Sequence, residues 1–265
     1  ADALPPMVRL QVISETRPVA GLDIFGEGLV QRLFDTPSAV ARVHRTRAER
    51  LRFVLSARDT QDPNGRPLRF RWKVLRGEAA RITVEPRDAR AAVAEISVPW
   101  HGRVAVPGRP GLSSHRVDIA VFADNGGGTL SAPGILSIAY PPGQERTYEG
   151  GTPVAIRYPG PASDVYADPR LFPRRGWTDR HDSETGGWVR LRGGEETAYT
   201  PSGRRVLEAD ALGRPLRAER VRYPVGKGPD GAPLVGIEGT GDVVDFVYDG
   251  PEDRRGRVRA ASPGR

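Results

Sequence analysis

Residues 160–190 bring together the side chains best suited to chemistry: Tyr166, Phe172, Trp177 and Trp188, with Arg174, Arg175, Asp179 and His181 among them. Aromatic rings carried on loops can stack on the apolar faces of sugar rings, while neighbouring polar groups bond the hydroxyls and fix orientation. Trp177 and Trp188 each follow a glycine, and Trp100 follows a proline, so all three are expected in loops. Tyr166, Arg174, Arg175, Trp177, His181 and Trp188 are therefore the expected ligand-binding residues. The competing expectation is that these rings only anchor a long loop onto a sheet. Planar, bidentate arginine forks suit carboxylate or sulfate groups, which makes an acidic polysaccharide the sharper form of the partner expectation.

A second group, Asp59, Asp62 and Asn64, offers three oxygen-bearing side chains within six residues. That set suits a hard cation, so a structural calcium is the one cofactor considered. The alternative is that the aspartates cap their own turn by accepting backbone N–H bonds. Catalytic signatures are sparse. His44, His101, His115 and His181 are scattered, and there is no cysteine, G-x-S-x-G elbow or P-loop. Asp179, Asp182 and Glu184 are the one carboxylate group close enough in sequence to suggest a glycosidase pair. A non-catalytic role is expected.

Alternating apolar residues predict the strands that hold these groups. In the first half they are Met7–Ile13, Ala39–His44, Leu51–Ala57, Arg69–Leu75, Arg81–Val84, Ala92–Val98, His115–Ala123 and Ser131–Tyr140. A short helix is expected at Gly28–Phe34. Asp118 is expected to face solvent, opposite Val117, Ile119 and Val121. Between two of the strands lies Asp59-Thr-Gln-Asp-Pro-Asn-Gly-Arg-Pro-Leu-Arg-Phe-Arg-Trp72. Pro63 sets one corner of a turn and Asn64-Gly65 the other.

This stretch resembles the pattern D-x-x-D-P-D-G-x-x-L-x-Y-x-W of polycystic-kidney-disease (PKD) domains, with Asn64 where many copies carry Asp. The resemblance implies an immunoglobulin-like β-sandwich over residues 1–142, with Trp72 in its core. It also implies a spacer or adhesion role, commonly beside a polysaccharide- or protein-degrading domain. It leaves calcium open, because such domains occur with and without it.

Pro141-Pro-Gly143 marks a break. Short charged units punctuated by glycine follow, reading as successive antiparallel strands. Asp210-Ala-Leu-Gly-Arg-Pro-Leu216 and Tyr248-Asp-Gly-Pro-Glu-Asp-Arg-Arg-Gly-Arg-Val258 resemble the tyrosine–aspartate (YD) repeats of Rhs-type bacterial surface proteins. The implied architecture for 143–258 is a β-meander of hairpins, with 259–265 as a flexible tail.

Composition agrees with an all-β chain of two domains: 265 residues with 32 Gly and 25 Pro favour many turns over long helices. The net charge of +7 is almost wholly arginine, since Lys73 and Lys227 are the only lysines. Arginines interleaved with Asp and Glu, with no block of like charge, point to biased codon usage rather than nucleic-acid binding. Absent cysteine and scarce methionine suit a thermophile. No apolar run is long enough for a membrane-spanning helix, and Ala1-Asp-Ala-Leu-Pro-Pro reads as the start of a mature protein or a cut domain. The expected protein is a non-catalytic accessory module of a secreted or cell-surface bacterial protein that binds polysaccharide or a surface glycan. A purely structural spacer or assembly subunit is the first alternative. A small polysaccharide hydrolase or lyase with its site at 160–190 is the second.

Overall fold

The computed structural model describes residues 4–106, 108–128, 130–161 and 166–260. The protein is all-β; among the described residues the only helical segment is a 3-10 turn, Ala79–Arg81. The chain forms two compact units, Ala1–Pro18 with Val30–Pro142, and Val19–Leu29 with Gly143–Arg265. The assignment of all of residues 1–142 to one domain is corrected here, because Val19–Leu29 belongs to the second unit.

The first unit contains two main sheets. One orders its antiparallel strands β1 (Gln11–Glu15), β4 (Arg50–Ser56), β7 (Val93–Pro99) and β6 (Thr83–Pro86). The other orders β2 (Arg32–Asp35), β3 (Ala39–Val43), β11 (Gly134–Ala139), β10 (Arg116–Asp124) and β5 (Arg69–Arg76), with β3 and β11 parallel. A small ribbon, β8 (Val104–Ala105) and β9 (Ser113–Ser114), completes the unit. Period-two alternation selects the buried faces. Leu51, Phe53 and Leu55 of β4 are buried, as are Val117, Ile119 and Val121 of β10. Each such side chain contributes about 1.5–3 kcal/mol on burial. Arg42 of β3 ties the sheets together by donating to Glu15 of β1 at 2.6 Å, and it also reaches Asp35 at 2.6 Å.

Several expectations change in this unit. Gly28–Phe34 forms no helix; Arg32–Asp35 is an edge strand with all four residues exposed. A short apolar run carries too few turns to separate the two periods. Trp72 is half-buried rather than fully enclosed, and its Nε1–H donates to the Ala91 carbonyl at 2.9 Å. Trp100 lies in the interior against His44 and Tyr140. Asp118 is buried on the face opposite Val117, where it accepts from Ser137 at 2.7 Å and from Arg116 at 2.8 Å. The guanidinium groups of Arg116 and Arg76 pair with its carboxylate there, so alternation alone did not expose it.

The second unit is a nine-stranded antiparallel meander. In sheet order its strands are β12 (Glu145–Glu149), β13 (Thr152–Tyr158), β14 (Trp177–His181), β15 (Trp188–Arg192), β16 (Glu195–Tyr199), β17 (Arg205–Ala209), β18 (Pro215–Arg222), β21 (Glu238–Val247) and β22 (Arg257–Ala260). The hairpin of β19 (Val225–Lys227) and β20 (Pro233–Val235) falls between β18 and β21. Tight turns set the register; Gly193 and Gly194, both at positive φ, join β15 to β16 in a two-residue loop that other residues would strain. One face carries Ile156, Tyr158, Trp177, Trp188, Tyr199 and Val221, and Tyr223 and Val235 from the segment after β18 join the same core. Phe25 from the Val19–Leu29 segment plugs it, with ring centres 4.9 Å from Tyr223 and 5.8 Å from Trp177.

Candidate functional site: a cleft in the second unit

The meander has one weak seam. β16 and β17 share a single residue pair, Tyr199↔Arg205, whereas β15 and β16 share five. A cleft of about 870 Å³ lies at this seam. Two cross-strand rows line it. Arg180, Val189 and Ala198 sit side by side across β14, β15 and β16, and Phe246 pairs with Val258 across β21 and β22. Val206, Leu212 and Pro215 extend the apolar lining, and His181 and the largely buried Trp188 and Tyr199 also border the cleft. Ser183, Thr185, Thr200 and Ser202 supply hydroxyls, and Arg254 and Arg255 lie on the β21–β22 turn. The β14–β15 turn packs tightly beside the cleft. A Cβ on Gly187 would come within 2.7 Å of the Tyr199 carbonyl oxygen, so only glycine fits there.

Only two of the six expected ligand-binding residues, His181 and Trp188, line this cleft. The region 160–190 is not one long loop, because it contains strand β14 and the start of β15. Trp177 and Trp188 are correspondingly on strands and buried, 2% and 3% exposed, rather than displayed on loops. Trp188 stacks on Tyr199 with ring centres 5.2 Å apart and planes at 4°, and the His181 ring lies 5.8 Å away. Arg175 is also buried, its guanidinium 4.8 Å above the Tyr158 ring, and desolvation lowers its pKa to about 10. Arg174 points elsewhere, to Asp230 at 2.5 Å and to the Pro161 carbonyl at 2.8 Å. Tyr166 is exposed and does not line the cleft.

The carboxylates of this region have separate tasks. Asp179 is buried in a two-pronged bond with Arg190, both prongs at 2.7 Å. Burial is the largest single influence on Arg190 and opposes its charge, yet the bond to Asp179, the Asp179 charge and the nearby Tyr223 and Tyr199 together outweigh it and raise the guanidinium pKa. Asp182 accepts from the Thr185 hydroxyl at 2.7 Å and the Glu184 N–H at 2.8 Å, holding the β14–β15 turn. The Thr185 bond leads the causes that lower the Asp182 pKa, the reverse of what a general acid needs. Residue types near one another in sequence announced the segment; strand pairing decided which of them met.

The aspartates of the expected cation cluster are hydrogen-bonded both within their turn and to distant residues. Asp62 accepts from Asn125 Nδ2 at 2.7 Å and from the N–H groups of Asn64 and Arg66 at 3.0 Å each. The Asn125 bond is the largest cause lowering its pKa. Asp59 instead accepts from Gln11 Nε2 at 2.7 Å. Among the described residues no group of three or more His, Cys, Asp or Glu side chains is arranged to hold a metal ion. Both Asp62 oxygens are thus engaged, one by Asn125 and the other by two backbone N–H groups of its own turn.

No helix among the described residues is long and apolar enough to cross a membrane. No family model matches the sequence, and no curated protein matches it. The chain is similar to the crystal structure of a mutant SrpA adhesin from Streptococcus sanguinis over 77% of this chain and 96% of that one, at 11% identity. The TM-score is 0.28, too low for that likeness to carry an argument.

Proposed function

We propose that the protein is a non-catalytic binding module of a secreted or cell-surface bacterial protein, and that the cleft of its second unit takes a polysaccharide segment. The observation that carries this reading is the mixed lining of one cleft: Phe246, Val206 and Val258 beside the hydroxyls of Ser183, Thr185, Thr200 and Ser202. Ligand pockets typically pair an apolar bed with a few polar groups that fix orientation. Four arginines line the cleft; Arg180 and Arg214 are paired with Glu196 and Asp210, and Arg254 and Arg255 share the space with Asp182 and Glu184, so charge is balanced once those partners are included and a hydroxylated chain suits the cleft better than a strongly acidic one. A non-catalytic role is supported by the carboxylates, since Asp179 is locked to Arg190 and Asp182 to its turn. For the first unit, the orders β1-β4-β7-β6 and β3-β11-β10-β5 support an immunoglobulin-like, PKD-type sandwich. The meander supports the YD-like reading of the second.

The test is co-sedimentation of the full chain with neutral and acidic insoluble polysaccharides, with assay of the supernatant for new reducing ends. Depletion without cleavage, weakened at least fivefold by Phe246→Ala, is the expected result. Released reducing ends would overturn the non-catalytic assignment. Absence of depletion across the panel would leave a structural spacer.

A further inference from the structure

The positive surplus of the chain is concentrated in residues 1–142, which hold 20 Lys and Arg against 14 Asp and Glu, compared with 20 against 19 in residues 143–265. Part of that surplus converges. Where β4 ends and the chain crosses to β5, Arg58, Arg66 and Arg90 line one pocket of about 380 Å³ with Thr60, Gln61 and Asp62. The volume falls within the range of small-ligand sites. Arg58 shares its charge with Asp88 at 3.3 Å, whereas Arg66 and Arg90 make no ion pair among the described residues. Asp62 is the single carboxylate of the lining, and its oxygens are engaged by Asn125 and two backbone N–H groups.

Both unpaired arginines stand on turns held by an aspartate. The Arg66 N–H donates to Asp62 at 3.0 Å. The Arg90 N–H donates to Asp88 at 3.1 Å, and Asp88 also accepts from Ala92 at 3.0 Å and Val93 at 3.1 Å. The Asp88 turn includes Ala91 at φ 55°, the one non-glycine residue at positive φ among those described. That sparsely populated conformation is kept by bonds on either side. The Arg90 carbonyl accepts from Phe70 N–H, and the Ala91 carbonyl accepts from Trp72 Nε1–H, both at 2.9 Å. Residues held in such conformations cluster at ligand sites.

We propose that this pocket binds a tetrahedral oxyanion, a sulfate ester or a phosphate group carried on a larger ligand. Guanidinium forks pair with such oxygens through charge-assisted, often bidentate bonds. Two arginines lacking ion-pair partners supply the charge, and Thr60 and Gln61 supply further polar groups. The site lies within the first unit and does not depend on the cleft.

Calorimetric titration of the full chain with dextran sulfate, polyphosphate, inorganic sulfate and uncharged dextran, at constant ionic strength, tests the proposal. Binding of at least one charged polymer is expected, at least tenfold tighter than any binding of uncharged dextran in the cleft, and the tighter of the charged polymers identifies sulfate ester or phosphate as the preferred source. Arg66→Gln and Arg90→Gln should each weaken that binding at least fivefold, and inorganic sulfate should compete. The paired variant Lys227→Gln/Arg259→Gln, on exposed residues of the second unit outside the cleft, should leave it within twofold. Near-UV circular dichroism of each variant checks folding, and Arg66→Lys, which keeps the charge but loses the fork, should retain part of the affinity. Unchanged affinity in both Gln variants, equal loss in the second-unit variant, or no binding of either charged polymer would overturn the proposal.

Discussion

Arg190 donates two hydrogen bonds of 2.7 Å to Asp179, and both side chains are 1% exposed. The guanidinium lies 4.1 Å from the Trp177 ring centre and 4.6 Å from that of Phe25, and it also donates to the Tyr223 hydroxyl at 3.3 Å. A buried ion pair held this well fixes the register of β14 against β15, and removing one partner strands the other charge away from water. Asp179→Ala should therefore cost about 3–5 kcal/mol in the second unit. Urea denaturation checks this, with Glu184→Ala as an exposed control expected within about 0.5 kcal/mol of the unaltered chain. A small loss for Asp179→Ala would contradict the packing described.

Tryptophan accessibility gives an independent check. Trp177, Trp188 and Trp100 are buried, whereas Trp72 is half-buried on β5. In variants that keep one tryptophan and replace the others with phenylalanine, acrylamide should quench Trp72 most. Strong quenching at Trp177 or Trp188 would restore the exposed-loop arrangement.

A pH effect follows from His101, which is 1% exposed. Its Nε2 receives the Glu78 N–H at 3.2 Å, so Nδ1 carries the proton and donates to the Pro99 carbonyl at 2.9 Å. Desolvation lowers the His101 pKa from 6.5, and the same cause lowers that of His115. Below pH 6.5 the unfolded chain then takes up protons that the folded one resists. Stability is full above that pH and falls as pH drops through the depressed folded values. A second decline is expected below about pH 4, where Asp62, Asp88 and Asp124, all lowered in the fold, become protonated. Thermal unfolding from pH 7.5 to 3 checks both windows. His101→Gln should shrink the first, leaving the part due to His115, and leave the second.

The Asp62 turn makes a contrasting prediction about metal. Its oxygens are engaged by Asn125, Asn64 and Arg66. Millimolar calcium should leave the melting temperature of the first unit unchanged, since a ligand stabilises only by binding the folded state preferentially. Asp62→Ala should lower that temperature equally with calcium and with chelator. A rise of several degrees with calcium, lost in Asp62→Ala, would establish a cation site.

Much of the secondary structure was legible because its determinants are local. Leu51–Ala57, Ala92–Val98 and His115–Ala123 alternate with period two, and strands β4, β7 and β10 fall on them. Glycine pairs such as Gly193-Gly194 mark hairpins through the positive φ they permit. The candidate site was less legible. His181 and Trp188 were visible as residue types, but Phe246, Val258 and Arg254 come from strands and turns far along the chain and meet them only in the cleft. The Arg66–Arg90 pocket was missed because its residues lie on separate turns that converge through β-sheet packing.

Alternation and turn chemistry act within a few residues, so the sequence by itself determined that this chain is all-β, rich in hairpins and lacking the common catalytic motifs. Burial and partnership are non-local. Only the tertiary structure decided that Trp177 and Trp188 face inward, that Asp179 neutralises Arg190, that Phe25 completes a core built mainly from the second half, and that the meander opens at Tyr199↔Arg205. Each of these depends on which strands become neighbours, and a side chain's surroundings are set by those neighbours more than by the residues beside it in sequence.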